Sequence, residues 1–186
     1  MTPSTDEDLM LEYQGGSSVA FDELYLRYEQ KIYNYLSYLV RDGERTAELF
    51  QDTFLQLHRS RASYDPARGF APWIFRIARN LGLNELRRSK RRRGLIDEGV
   101  DAATQPDVKA DPERDLVQKT MRDNLAGALS GLGDDQREAV LLSYYAGLKY
   151  AEIAEVSGTT EDAVKQRVRR GMGTLREKLK SHLRSD

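Results

Sequence analysis

The chain has no cysteine among its 186 residues, and it has only one tryptophan, two histidines and five prolines. Without cysteine it can form neither a disulfide framework nor a cysteine-ligated zinc or iron–sulfur site. No apolar run approaches the roughly 18 residues that suggest a membrane-spanning helix. The acidic start MTPSTDEDLM lacks the basic and apolar regions of a signal peptide. These absences predict a soluble, cytoplasmic protein without membrane insertion.

Charge is unevenly distributed along the chain, although the formal net charge is only −1. Residues 76–93 hold eight basic side chains against one acid, and residues 161–184 hold eight against three. Between them, residues 94–115 hold seven acids against two bases. Attraction to phosphate acts over a Debye length of roughly 8–10 Å, so local charge matters more than the total. The two basic segments are therefore candidates for nucleic-acid contact.

Apolar residues recur at helical spacing through most of the chain. With the capping and stop signals, this spacing predicts helices at about residues 5–14, 19–41, 44–59, 71–93, 113–132 and 136–145, followed by a helix pair. Residues 94–112 lack a sustained period and contain two glycines and two prolines, which predicts a flexible linker. The expected fold is all-α, with two small helical domains at residues 1–93 and 113–186.

The stretch FAPWIFRIARNLGLNELRRSKRRR, residues 70–93, carries two helical stripes of different character. The stripe expected to be buried consists of Phe70, Ile74, Ile77, Ala78 and Leu81. The other stripe consists of Trp73, Arg76, Asn80, Asn84 and Arg87. Aromatic rings, guanidinium groups and amides stack on bases, bind phosphates and hydrogen-bond base edges. The second stripe therefore indicates nucleic-acid contact, and the alternative is a solvated face with Trp73 at the edge of the core.

Acidic residues recur every four positions along the third predicted helix, at Glu44, Glu48 and Asp52. Three carboxylates on one ridge can bind a divalent cation, but few further oxygen ligands lie nearby and His58 is out of register. A solvated face or a protein-docking face explains the ridge better, and Gln51 extends it. No metal site is predicted.

The most specific pattern is YAEIAEVSGTTEDAVKQRVRRG, residues 150–171. Ala154 precedes Gly158 by four residues, and Val164 follows it by six. This is the spacing of a helix-turn-helix, in which a small residue lets two helices cross, glycine takes the turn and a branched residue anchors the second helix. The outward residues that can reach base edges are Lys165, Gln166, Arg169 and Arg170. An ordinary helical hairpin is the alternative, and the basic surface favours DNA.

From about residue 20 to residue 179 the chain resembles a bacterial RNA polymerase sigma factor of the extracytoplasmic-function group. The resemblance rests on three motifs in order, ELFQDTFLQLHR, GFAPWIFRIARNLGLNELRR and DDQREAVLLSYYAGLKYAEIAEVSGTTEDAVKQRVRRG. They are similar to the family's polymerase-docking helix, promoter-melting helix and promoter-reading domain, respectively. The resemblance implies a protein that binds core RNA polymerase, directs it to a two-part promoter and helps melt the DNA, without catalytic chemistry or a cofactor.

The resemblance also implies roles for individual positions. The implied polymerase-docking residues are Glu48, Gln51, Asp52 and Phe54. The implied minus-ten residues are Ser63, Tyr64, Asp65, Trp73, Arg76, Asn80, Asn84, Arg87 and Arg88, and the first three form a loop that receives a flipped base. The implied minus-thirty-five residues are Lys165, Gln166, Arg169 and Arg170. Core RNA polymerase and promoter DNA are the implied partners, and an anti-sigma factor is a further candidate. Pro72 and His58 depart from the family pattern.

Two other functions fit parts of the chain. A free-standing helix-turn-helix regulator would bind a symmetric operator without polymerase. A nuclease or DNA-modifying enzyme could use Glu44, Glu48 and Asp52. Against the enzyme, the sequence has no phosphate-binding glycine loop, no H-x-E motif with paired cysteines and no convergent histidines and carboxylates.

Overall fold

The structure, a computed structural model, describes residues 4–93 and 124–182, and every regular element in these ranges is helical. The α-helices are α1 (Asp6–Gln14), α2 (Ser18–Val40), α3 (Gly43–Ser60), α4 (Phe70–Arg93), α5 (Asp134–Tyr144), α6 (Tyr150–Ser157) and α7 (Glu161–His182). Two short 3₁₀ turns, Arg61–Ser63 and Pro66–Arg68, lie between α3 and α4. Residues 124–130 are also helical. None of the described helices is long and apolar enough to cross a membrane, and the all-α prediction is confirmed.

Side-chain caps fix where the first three helices begin. The Thr5 hydroxyl accepts the backbone N–H of Asp8, and the Asp8 carboxylate accepts the backbone N–H of Thr5 in return. Ser17 caps α2 and Asp42 caps α3, each by accepting one backbone N–H of the first turn. The predicted bounds of these helices are confirmed to within one residue.

The start of α4 accommodates a proline. The helix begins at Phe70, one residue before the predicted start, so Pro72 is its third residue. Backbone N–H groups in the first turn of a helix have no partner within that helix. Pro72 therefore removes no helical hydrogen bond, and its fixed φ suits the position.

The buried face of α4 is rotated from the predicted one. Phe75, which the predicted apolar stripe left out, is fully buried, whereas Ile77 and Leu81 are only partly buried. Gly82 lies on the buried face, where an added Cβ would come within 2.6 Å of Leu39 on α2. The two helices therefore cross closely at a residue that an apolar pattern does not register.

Buried aromatic rings join α2 to α4 in the N-terminal half. Tyr35 and Phe75 meet edge to face with ring centroids 5.5 Å apart, and Tyr28 and Phe70 do so at 4.9 Å. Such pairs contribute about 0.5–1.5 kcal/mol each beyond the area that they bury. The density of tyrosine in α2 therefore reflects core packing.

The C-terminal half is built from α5, α6 and α7. The helix α5 begins at Asp134, two residues before the predicted start, with Gly133 as its N-cap residue, so Asp134 and Asp135 lie in its first turn. Residues 124–130 are the only helical part of predicted helix 113–132 that the structure describes. The predicted linker, residues 94–112, lies outside the described residues.

The two halves pack against each other. The helix α4 lies against α6, and α2 lies against α5. Between α2 and α5, the rings of Tyr38 and Tyr145 lie with their centroids 5.1 Å apart. The contact between α6 and α4 places the C-terminal half beside the predicted melting surface.

Candidate polymerase and nucleic-acid interfaces

The docking ridge, which we define as Glu48, Gln51, Asp52 and Leu55, lies on the exposed face of α3. Its three polar members are exposed, and Arg45 forms a 2.5 Å ion pair with Glu48. Leu55, a large apolar side chain, is 51% exposed. The ridge therefore offers a leucine surrounded by polar groups, which is the arrangement of a protein-binding surface with an apolar centre and a polar rim.

Phe54 belongs to the core beneath the docking ridge. Its side chain is only 8% exposed. Its ring centroid lies 4.8 Å from that of Tyr25, 5.2 Å from that of Phe50 and 6.3 Å from that of Phe21. Because this aromatic cluster covers the ring, Phe54 packs within the core in this structure, and its contact with polymerase stays a prediction.

The acidic row on α3 does not gather into a metal site. Within residues 4–93 and 124–182, no group of three or more histidine, aspartate or glutamate side chains is placed to hold a metal ion. Glu48 is engaged by Arg45. In the described part of the chain, the carboxylates proposed for an enzyme therefore remain a helix surface.

The α3–α4 loop, residues 61–69, exposes Ser63 and Asp65 and buries Tyr64. The Asp65 carboxylate caps the second 3₁₀ turn by accepting a backbone N–H at 3.0 Å. Gly69 ends the loop at φ 71°, in the left-handed region that favours glycine. The loop thus has a defined conformation with two polar side chains at its surface.

Tyr64 forms the floor of the α3–α4 loop. Its ring centroid lies 5.1 Å from that of Trp73 and 6.2 Å from that of Phe70. The hydroxyl is buried and has no hydrogen-bond partner in the described structure. Burial raises the pKa of this hydroxyl above its ordinary value, so it stays protonated at neutral pH. Although predicted as a DNA contact, Tyr64 is placed to support the loop from beneath with an unused donor.

The polar stripe of α4 continues from this loop along an accessible face. Its exposed members, with the adjoining arginine, are Asn80, Asn84, Arg87 and Arg88, and its partly buried members are Trp73 and Arg76. Arg87 donates a 3.4 Å hydrogen bond to the amide oxygen of Asn84, which holds both side chains at the surface. The structure therefore brings the predicted minus-ten residues to one side of the N-terminal half.

The basic end of α4 is organised around Glu85, which is only 7% exposed. Arg92 donates to its carboxylate at 2.6 Å, Ser89 donates at 3.1 Å, and Arg45 of α3 lies 4.0 Å away. A buried carboxylate requires such partners because it has lost its water. One arginine of the basic tail is thus engaged within the protein, while Arg88 remains exposed.

The helices α6 and α7 form the predicted helix-turn-helix. Gly158 joins them at φ 65°, where a residue with a Cβ is strained. Ala154 is 8% exposed at the crossing, and Val164 is fully buried. Each of the three residues therefore has the role that its spacing predicted.

The outward face of α7 exposes all four predicted minus-thirty-five residues, Lys165, Gln166, Arg169 and Arg170. Lys165 forms ion pairs with Glu161 at 3.0 Å and with Asp162 at 3.5 Å. The hydrogen bond that Lys165 donates to Glu161 is the main reason that the pKa of Lys165 is raised above its ordinary value. Lys165 is therefore a fully charged amine that must leave its carboxylate partners to reach DNA.

Among the residues that the structure describes, three ion pairs join α4 to the C-terminal half, and sequence reasoning missed all of them. The inner pair is Arg79 with Glu138, in which the guanidinium Nε lies 2.5 Å from a carboxylate oxygen and Nη2 lies 3.3 Å from the other. The outer pairs are Arg76 with Glu155 and Lys90 with Asp134, each at 2.9 Å. Arg76, a predicted DNA contact, is therefore engaged within the chain in this arrangement.

One feature of the sequence could have indicated the inner pair. Glu138 directly precedes the apolar run Ala139–Leu142 of α5 and is itself only 6% exposed. A charged residue at the edge of a core segment is rarely buried unless it is paired. Its partner could not be identified, because Arg79 is one of many arginines in α4.

Two protein-family models match the chain: "Sigma-70 region 2" matches residues 24–92, and "Sigma-70, region 4" matches residues 122–175. The chain is similar to the RNA polymerase sigma factor CarQ of Myxococcus xanthus, with 34% identity over 91% of this chain and 95% of that one. It is also similar to the ECF sigma factor BldN of Streptomyces coelicolor, with 33% identity over 93% of this chain and 67% of that one.

Two solved structures share the fold. One is the sigma factor RpoE in complex with the anti-sigma factor NepR from Bartonella quintana, with a TM-score of 0.72 and 24% identity over 86% of this chain and 96% of that one. The other is CnrH in complex with the cytosolic domain of CnrY, with a TM-score of 0.71 and 22% identity over 98% of this chain and 99% of that one. At these identities the likeness concerns the fold alone.

Proposed function

Because the chain belongs to the sigma-70 family, as a sigma factor of the extracytoplasmic-function type that directs RNA polymerase to specific promoters, we propose which of its surfaces carry out this function. Residues 1–93 form the domain that docks on polymerase and opens the minus-ten element. Residues 94–112 are the linker, and residues 113–186 form the domain that reads the minus-thirty-five element. Sigma factors are regulatory proteins, and a free-standing regulator is the less favoured alternative.

The docking ridge of α3 is the proposed contact with core polymerase. Its polar members are exposed around Leu55, so a partner can bury the leucine while pairing with the carboxylates. Charge pairs at the rim of such a contact guide association, and the buried apolar centre supplies most of the affinity.

The α3–α4 loop and the polar stripe of α4 are the proposed minus-ten surface. The observation that carries this proposal is their continuity, since the exposed loop residues Ser63 and Asp65 stand at the start of the helix that exposes Asn80, Asn84 and Arg87. A flipped base needs a pocket with polar edges and an apolar or aromatic support. The loop offers both, and the stripe offers amides and guanidinium groups to the strand that follows.

The outward face of α7 is the proposed minus-thirty-five surface. In a helix-turn-helix the second helix enters the major groove and presents its first turns to base edges. Lys165, Gln166 and Arg169 lie in those turns, and all three are exposed. Arg170 beside them is placed for a base edge or a phosphate.

We place the protein in the cytoplasm with the polymerase, and we propose that an anti-sigma factor binds it. One solved structure of the same fold is a complex of the sigma factor RpoE with the anti-sigma factor NepR, and the other is a complex of CnrH with the cytosolic domain of CnrY. In the arrangement described here Arg76 is paired with Glu155. A partner that stabilised this packed arrangement would keep part of the minus-ten surface from DNA.

Reconstituted transcription tests the proposed function. Purified protein with core polymerase is expected to initiate transcripts from a subset of a genome-wide promoter pool, and no transcript from any promoter would refute the proposal. The double variant Gln51→Ala with Asp52→Lys is expected to lose polymerase binding while remaining folded. Asp22→Lys, an equal charge change at an exposed position of α2, is the matched control and should bind normally.

A further inference from the structure

The helix α1 contacts both ends of the α3–α4 loop, although it lies before the family match at residues 24–92. At the first end, the side-chain amide of Gln14 donates to the backbone carbonyl of Arg61 at 2.6 Å and to that of Tyr64 at 3.3 Å. One side chain thus bridges two carbonyls of the loop, three residues apart.

At the other end of the loop, Glu7 caps α4. Its carboxylate accepts the backbone N–H of Phe70, the first residue of that helix, at 2.9 Å. The first N–H groups of a helix carry a partial positive charge and have no partner within the helix, so a carboxylate there stabilises the start of α4. Glu7 and Gln14 lie seven residues apart on α1, which is two helical turns.

Other residues of α1 fix its position on the N-terminal half. Asp6 accepts hydrogen bonds from Arg27 at 2.7 Å and from the Tyr28 hydroxyl at 2.5 Å, which ties the start of α1 to α2. A 2.5 Å hydrogen bond joins the Tyr13 hydroxyl to His58 of α3, one of the residues that departs from the family pattern. The helix is therefore held by contacts that do not involve the α3–α4 loop.

A carboxylate beside a DNA-binding surface repels phosphate, so Glu7 is unsuited to contact DNA itself. Its bond to Phe70 gives it a different use. Ordering a loop costs conformational entropy, and this cost does not reduce the affinity for DNA if the loop is already ordered before the base binds.

We propose that α1 is a positioning element that holds the α3–α4 loop in the conformation that receives the flipped base, with Gln14 and Glu7 as the positioning residues at its two ends. This inference rests on the proposed minus-ten function of the loop. It assigns to α1 a part in promoter opening without a contact between α1 and DNA.

The test uses holoenzyme assembled from core polymerase and the full chain. Strand opening is followed by the fluorescence of 2-aminopurine placed within the minus-ten element, and promoters with each of the four bases at every minus-ten position are compared. Gln14→Ala and Glu7→Ala are expected to slow opening roughly tenfold and to flatten base preference at the position that the loop receives. Glu7→Gln keeps a hydrogen-bond acceptor for Phe70 and is expected to recover most of the loss.

Glu12→Ala, at an exposed position of α1, is the matched control and should open promoters at the normal rate. Affinity for core polymerase and base preference at minus thirty-five should be unchanged in all four variants. A merely structural role for α1 would lower these quantities together with opening, and that result would overturn the inference.

Ser63→Ala and Asp65→Ala separate this inference from the proposed function. If they alter minus-ten base preference while Gln14→Ala and Glu7→Ala do not, the inference fails and the function of the loop stands. If they leave base preference unchanged, the loop does not receive a base, and the proposed minus-ten function and the inference fail together.

Discussion

Replacing Glu138 by glutamine removes the charge that Arg79 meets between the two halves. Both side chains are largely buried, at 8% and 18% exposure, and the pair is bidentate. Breaking a buried ion pair by removing one partner costs about 3–5 kcal/mol, because the other charge is left without compensation. Glutamine keeps one acceptor, so we expect the lower end, about 3 kcal/mol. This destabilises the packed arrangement relative to a separated one by roughly a hundredfold, enough to turn a 99:1 population into one near 1:1.

The absence of cysteine makes this prediction simple to measure. Asp22→Cys and Lys180→Cys place two labels at exposed positions of the two halves, and single-molecule energy transfer between them reports the populations. Glu138→Gln is expected to populate a low-transfer state. The double variant Arg79→Leu with Glu138→Leu should stay packed, since two apolar side chains of similar size replace a buried pair at little cost. An unchanged population in Glu138→Gln would refute the role that we give to this pair.

Salt distinguishes the inner pair from the outer ones. Lys90 and Asp134 are 69% and 61% exposed, and exposed pairs contribute about 0–1 kcal/mol and are screened by salt. The hydrogen bond from Lys90 lowers the pKa of Asp134 below its ordinary value, so the contribution of this pair is present above that value and is lost as the pH falls through the lowered pKa. Because salt screens this exposed pair and screens the buried inner pair much less, high salt at neutral pH should leave the packed population largely intact.

Two further predictions concern the C-terminal half. Lys165→Ala or Arg169→Ala should change discrimination between bases at minus-thirty-five positions by about 1–3 kcal/mol per lost base contact. The measurement is holoenzyme binding to promoters with single base substitutions. A uniform loss of affinity over all promoter sequences would instead identify Lys165 and Arg169 as phosphate contacts. Gly171→Ala should lower the free energy of unfolding by about 1–3 kcal/mol in urea titrations, because its Cβ would lie 2.8 Å from Val140. Gly173→Ala, with open space around it, should raise the free energy of unfolding by up to about 1 kcal/mol. Equal effects of the two substitutions would contradict the close helix crossing at Gly171.

The starts of the first three helices were predictable because their signals are local. Thr5, Ser17 and Asp42 each accept a backbone N–H of the first helical turn, and such caps are recognised from a few neighbouring residues. The turn of the helix-turn-helix was predictable for the same reason, since Gly158 adopts the left-handed conformation that the turn requires.

The buried face of α4 was less predictable because tertiary contacts decide it. The face includes Gly82, which approaches Leu39, and Glu85, which gathers Ser89 and Arg92. A pattern of apolar residues does not mark Gly82 or Glu85 as buried. The predicted stripe was therefore centred on another part of the helix surface and omitted Phe75, which lies on the same face as these two residues. A close helix crossing and a compensated carboxylate become visible only when the neighbouring helices are in place.

The candidate sites divide in a similar way. The polar residues of the docking ridge and of α7 are exposed, in agreement with their helical spacing. Phe54 and Tyr64 are buried, because aromatic rings close beneath each surface. The contacts of α1 were not predictable, since Gln14 and Glu7 act on backbone atoms 47 and 63 residues away in the chain.

The uninterrupted helix α4, which runs from Phe70 to Arg93, has a consequence for the length of the DNA segment that it can follow. A helix rises about 1.5 Å per residue, so the stripe from Trp73 to Arg87 is about 21 Å long. Stacked bases rise about 3.4 Å each, so the stripe measures about six of them. The helix therefore fixes both the spacing of these side chains along its axis and the direction in which each of them points. One residue inserted within the stripe would turn every later side chain by about 100°, so changes of chain length should be confined to the loops before and after it.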